Sequence, residues 1–199
     1  MRKDKITKRY GKRKAQQPWL SNSSNPIKIT VKKYDPLKPP MPKIVIDPNR
    51  DRIDVYTDGG CWPNGQKINK GGYAFIVIED DTILYRYSRG EVNTTNNRME
   101  LQGILDSLQY IKNHISTDVQ VVIHTDSQYC LHGICTWYKG WVKKNWENVK
   151  NTEQWKQIIE LKDQLPNVQY KWIRGHQEND SREAVYNNIV DQMCSAHIG

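Results

Sequence analysis

No apolar run in the chain approaches the ~20 residues needed to span a bilayer, and its first 20 residues lack the apolar stretch of a secretory leader. A soluble, intracellular protein is expected, with cytoplasm and nucleus both open and no membrane partner. The four cysteines, Cys61, Cys130, Cys135 and Cys194, form no CxxC pair and have no histidine at zinc spacing. Free thiols in a reducing compartment follow, and a structural zinc site is disfavoured. No segment repeats. Net charge is also scarce over most of the length, because residues 48–199 hold 17 Lys/Arg against 19 Asp/Glu.

The basic excess sits instead in residues 1–47, with 13 Lys/Arg and 3 Asp/Glu. Seven of the nine prolines fall between Pro18 and Pro48. Such a stretch has few apolar side chains to offset the entropy of ordering. Residues 1–50 are therefore read as a basic, largely disordered extension, and residues 51–199 as one folded domain long enough for a sizeable core. The cluster Lys8-Arg9-Tyr10-Gly11-Lys12-Arg13-Lys14 suits either a nuclear address or a sequence-blind grip on phosphates. Ile27 to Val31 alternates like an isolated strand.

From Ile53 the pattern is that of alternating elements. Ile53 to Thr57 is rich in β-formers and ends in Asp58-Gly59-Gly60; Gly72 to Ile78 and Thr82 to Tyr87 then read as a hairpin turning at Glu79-Asp80-Asp81. Leu101, Ile104, Leu105, Leu108 and Ile111 form one stripe of a helix spanning 96–113. Val119 to Asp126 is a further strand, and Ser127 opens a short helix. Thr152 to Leu165 is helical with Thr152 as its cap, Val168 to Arg174 is a strand, and Glu183 to Ala196 a last helix. The order predicts an α/β fold with a mixed sheet flanked by helices.

Two of these strands end alike, in Thr57-Asp58 and Thr125-Asp126. If they are parallel neighbours, their carboxylates emerge together at one sheet edge. Glu100 lies one position before the apolar stripe, and Asp191 stands within the last helix. Crowded carboxylates repel unless cations lie between them, and hard divalent ions take oxygen ligands. Two such ions about 4 Å apart form a clamp for in-line attack on a phosphodiester. Taken singly, each acid also fits an ordinary turn, cap or surface position.

Tyr56-Thr57-Asp58-Gly59-Gly60-Cys61, Thr94-Thr95-Asn96-Asn97-Arg98-Met99-Glu100-Leu101, Thr125-Asp126-Ser127-Gln128-Tyr129 and Trp172-Ile173-Arg174-Gly175-His176 resemble, in order and spacing, the motifs of ribonuclease H type 1. The likeness covers about residues 52–198. It implies a five-stranded mixed sheet, three antiparallel strands followed by parallel additions. It also implies Asp58, Glu100, Asp126 and Asp191 as ligands of two Mg²⁺ ions, with Mn²⁺ as a substitute, and His176 as an assistant in proton movement or product release. The implied reaction is hydrolysis of the RNA strand of an RNA/DNA hybrid, leaving 5′-phosphate and 3′-hydroxyl ends. His176 and Asp191 are 15 positions apart where the family commonly has about ten. The loop from Gln177 to Arg182 thus carries an insertion, and Glu183 is a rival for the fourth acid.

Telling RNA from DNA requires contact with the 2′-hydroxyl in a wide minor groove. Asn64, Asn96, Asn97 and Gln128 match family positions for that contact, and Asn96 also suits a helix cap. Trp137, Trp141, Lys143, Lys144 and Asn151 resemble a protrusion gripping the DNA strand, where aromatic faces interleave with cations. Trp155 is expected to pack between helices, as Trp141 and Trp146 equally could. Thr95 and Asn151 look like parts of a DNA-phosphate pocket whose third member, often Arg, falls at Asn93. The basic extension is expected to add non-specific nucleic-acid contact, and the protein is expected to be a monomer. Two other readings stay open: a non-catalytic hybrid-binding module, and a DNA-acting nuclease of the same fold.

Overall fold

The computed structural model describes residues 41–62 and 69–198. The Lys8–Lys14 cluster, the strand expected at 27–31 and Asn64 lie outside them. Residues just ahead of the sheet are tied to it: Gln169 exchanges two hydrogen bonds with the backbone of Val45 (2.6 and 2.8 Å), and Gln120 Nε2 donates to the carbonyls of Asp47 and Arg50.

Five strands form one sheet: β1 (Arg52–Trp62), β2 (Lys70–Glu79), β3 (Thr82–Val92), β4 (Gln120–Thr125) and β5 (Val168–Trp172), in the order β3-β2-β1-β4-β5. The first three are antiparallel, and β4 and β5 add in parallel on the other side of β1. The β2–β3 hairpin turns through Asp80 (φ 43°) and Asp81 (φ 65°), a left-handed pair of the kind that two-residue hairpins need and aspartate tolerates. β3 runs five residues beyond the expected Tyr87.

The alternation along β1 serves two cores. Ile53 and Val55 face α1 (Asn96–His114) and α4 (Thr152–Gln164), whose Leu101, Ile104, Leu108, Trp155 and Ile158 are buried against them. Tyr56 faces the opposite side, where Tyr186, Val190 and Cys194 of α5 (Arg182–Ser195) close the layer. A three-layer sandwich results.

Between β4 and α4 the chain stays helical through α2 (Gln128–His132), a single π turn at Gly133–Trp137 and α3 (Tyr138–Lys143). A methyl group on Gly133 would lie 2.5 Å from Trp155 Cζ2, so the glycine is what lets the fully buried indole lie across this segment. The expected cap at Thr152 is corrected: Asn151, in a left-handed conformation, precedes the helix, while the Thr152 hydroxyl donates to Val149 O.

Beneath α5 lies an ionic cluster centred on the buried pair Asp54 and His124. Asp54, on the inner face of β1, accepts from Arg52 (2.6 Å), from Arg182 Nη1 (2.8 Å) and from His124 Nε2 (2.7 Å). Arg182 Nε also reaches Asp81 (2.6 Å), so the first residue of α5 is clamped to β1 and to the hairpin turn together.

Candidate active site

Parallel pairing sets the site. Tyr56 is level with His124, so two residues later Asp58 and Asp126 leave their strands side by side at the carboxyl edge of the sheet. This is where the strand order reverses, the usual place for a ligand crevice in open α/β sheets.

Two glycines bring the other components in. A methyl group on Gly59 would lie 2.6 Å from Met99 O and closer still to the Glu100 amide, so α1 rests its first turn directly on β1 and delivers Glu100 beside Asp58. Thr95 caps that turn, its hydroxyl accepting from Arg98 N, while Asn96 Oδ1 accepts from the Cys61 amide (3.2 Å). The alternative of Asn96 as the cap is therefore corrected: its carbonyl oxygen ties the end of β1 to α1. Likewise a methyl group on Gly175 would lie 3.2 Å from Asp126 Cγ and closer to Oδ2, so the loop after β5 passes against Asp126. The Trp172 indole N–H donates to Asp126 O (3.0 Å) and holds that strand end.

Asp58, Glu100 and Asp126 each place a carboxylate oxygen within 4.8 Å of the others. Burial, then the charge of Asp126, pushes Asp58 up to about 7, against a hydrogen bond from the Gly59 amide. Burial, and the charges of Asp58 and Asp126, push Glu100 well above the usual carboxylate range. Asp126 is raised by burial but restrained by a hydrogen bond from the Asn187 side chain. Such a group disfavours being fully ionised on its own. Hard oxygen donors this close suit a divalent cation, which would relieve the repulsion.

Asp191 and His176 line the same cleft of about 480 Å³. His176 Nδ1 is 3.8 Å from Asp191 Oδ2; the histidine is 82% exposed and holds a left-handed backbone (φ 49°). Asp191 stands beside the close trio rather than within it. The long loop between them is stitched internally, with Gln177 Nε2 donating to Arg174 O, Asn188 Nδ2 donating to Gln177 O, and Ser181 capping α5. Glu183 is corrected as a rival acid, since it pairs with Lys171 and does not line the cleft.

Of the expected nucleic-acid contacts, Asn96 lines the cleft, Thr95 and Asn97 are exposed beside it on the first turn of α1, and Gln128 is exposed at the start of α2. Lys143 and Lys144 are exposed at the end of α3. Trp141 is half-buried, its ring 5.0 Å from that of Trp155 and 6.1 Å from those of Trp137 and Trp146. Trp141 and Trp146 thus help to pack the protrusion onto the body. Asn151 Nδ2 faces the Tyr129 hydroxyl (3.5 Å), and Asn93 is left-handed (φ 54°), which suits asparagine better than arginine. Asn187 was not anticipated. Buried one helical turn before Asp191, it presents its amide to Asp126, and the i, i+4 spacing on α5 was the available signal.

The sequence model of the RNase H family matches residues 50–198. The Ribonuclease H of Janthinobacterium sp. (strain Marseille) is 33% identical over 149 residues, covering 71% of this chain and 97% of the relative. That of Parvibaculum lavamentivorans is 37% identical over 143 residues, covering 68% and 89%. Among solved structures, LC9-RNase H1, described as a type 1 RNase H with the type 2 active-site motif, aligns with a TM-score of 0.61 at 25% identity over 77% of this chain and 75% of that one. Prototype foamy virus protease-reverse transcriptase aligns with a TM-score of 0.67 at 21% identity, over 77% of this chain but 22% of the viral chain. Motif, sheet order and converging acids agree with these matches, and the chain belongs to the ribonuclease H family.

Proposed function

We propose that this ribonuclease H hydrolyses the RNA strand of RNA/DNA hybrids by two-metal-ion catalysis, leaving 5′-phosphate and 3′-hydroxyl ends. The observation that carries the reading is the trio Asp58, Glu100 and Asp126 within 4.8 Å, open to a cleft shared with His176 and Asp191. A structure of LC11-RNase H1, a fold relative at 22% identity, is described as a complex with an RNA/DNA hybrid.

Asp58, Glu100, Asp126 and Asp191 would hold two Mg²⁺ ions, with Mn²⁺ as a substitute. When bound, the ions supply an activated water and neutralise charge at the leaving oxygen. Asn187 and Trp172 keep Asp126 aimed into the cleft. His176, exposed on its loop and facing Asp191, takes up or releases a proton near the leaving group. Asn96, Asn97, Gln128 and Asn64 read 2′-hydroxyls in the minor groove. Lys143, Lys144, Trp137, Trp141 and Asn151 track the DNA strand, with Thr95 on its phosphate. The protein acts as a monomer, and residues 1–50 add sequence-blind, salt-sensitive affinity.

The test uses a labelled RNA/DNA hybrid, an RNA duplex and a DNA duplex, each with Mg²⁺ and with chelator. Metal-dependent cutting of only the RNA in the hybrid is expected, and Asp126→Asn should abolish cutting while retaining binding. Binding without cutting under either metal would refute the proposal. Deleting residues 1–47 should halve the affinity lost between low and high salt, and an unchanged salt slope would remove the role given to the extension.

A further inference from the structure

The cleft has a second end that the acids do not use. β1 continues four residues past Asp58 to Trp62, and the two lie on the same side of the strand, about 13 Å apart at 3.3 Å per residue. Gly60 lies between them with no side chain to block the way. A methyl group there would sit 3.1 Å from Ile198 Cδ1 and 3.4 Å from Cys194 Sγ, so the floor of this stretch is apolar. Trp62 lines the cleft and is 65% exposed, although its backbone is held in register with Lys70. The amide of neighbouring Cys61 is fixed to Asn96. An indole at the wall of a charged cleft offers a ligand an apolar face beside polar groups, the mixed lining that ligand clefts use.

We propose that Trp62 is a specificity-determining residue that packs its indole against one ribose of the RNA strand, displaced along the minor groove from the phosphate at the acids. A ribose offers an apolar face beside its 2′-hydroxyl, and indole offers an apolar face with an N–H donor at its edge. The polar end of the cleft takes the reacting phosphate, and the Trp62 end selects the sugar. This rests on the hybrid hydrolysis proposed above.

The test compares wild type, Trp62→Ala and Trp62→Phe on a hybrid with Mg²⁺. Trp62→Ala should raise KM about tenfold with kcat within about twofold, in the range of aromatic contacts to nucleic acid, and Trp62→Phe should recover part of the loss. The contact itself is located by replacing one ribonucleotide at a time with its deoxyribonucleotide. Wild type should show a KM penalty at several fixed positions from the cut, and one of them should vanish in Trp62→Ala while the others persist. An unchanged KM in an active Trp62→Ala enzyme, or an identical set of penalties, overturns the role of Trp62 alone. A wild type that cuts no hybrid overturns it together with the proposed function.

Discussion

Gly59→Ala is the sharpest test of how the acids are assembled. The added methyl group would lie 2.6 Å from Met99 O and nearer still to backbone atoms of Met99 and Glu100, where carbon contacts relax only at about 3.5–4.0 Å. Neither β1, paired with β2 at Gly59, nor a helix backbone yields by rotating a side chain, so the first turn of α1 must move by roughly 1 Å. Glu100 moves with it. Overpacking of this kind costs about 1–3 kcal/mol, and each kcal/mol lowers Tm by about 2–4 °C in a protein of this size. A misplacement of about 1 Å in a catalytic array costs on the order of 100-fold in rate. The expected result is a folded variant with a lowered Tm and kcat on an RNA/DNA hybrid down about 100-fold. Gly140→Ala is the control, because a methyl group there meets nothing within 4 Å. A Gly59→Ala enzyme with wild-type kcat and Tm would refute the claim that close approach of α1 sets the site.

Two predictions concern pH. At Asp54 burial opposes ionisation, but hydrogen bonds from His124, Arg52 and Arg182 outweigh it and hold the carboxyl below its usual range. Its stabilisation is complete above the unfolded-state value near 4 and is lost as pH falls below that. Asp54→Asn should therefore lower Tm at pH 7 and flatten its decline below pH 4, and parallel melting curves for both proteins would contradict this. Asp58, raised to about 7, behaves oppositely in metal-free protein: the folded state keeps a proton that the unfolded chain has already lost, so stability falls as pH rises from about 4 to about 7 and levels off above that. Mg²⁺ should accordingly raise Tm more at pH 8 than at pH 5, and an equal rise at both would refute that.

The sheet and three acids were legible because their signals are local. A β-rich run ending in Thr-Asp appears twice, and parallel pairing by itself makes those two ends coincide. The stripe from Leu101 to Ile111 likewise fixed which side of α1 is buried, and with it the outlook of Glu100. The partners of Asp54 were not legible, since His124 and Arg182 are 70 and 128 residues away. Nor could the close approaches at Gly59 and Gly175 be read, because a glycine after a strand looks the same whether it turns the chain or admits another backbone. Tryptophans interleaved with lysines also look alike on a nucleic-acid grip and on a helix half-sunk in a core. Trp141 combines the two, half-buried with its ring 5.0 Å from that of Trp155 and standing two residues before Lys143.

The π turn at Gly133–Trp137 has a consequence for how the helix beyond it is aimed. Such a turn carries one residue more than an α turn. The π turn absorbs that residue, so adding one further residue to 133–137 would leave nothing to absorb it and would rotate the helix after it by about 100°. Lys143 and Lys144 would keep their identities and their exposure yet swing to another side of the molecule. The heading of this cationic tip is therefore written in the length of the segment as much as in its residue types, and a length variant there would redirect the tip where a point substitution would only weaken it.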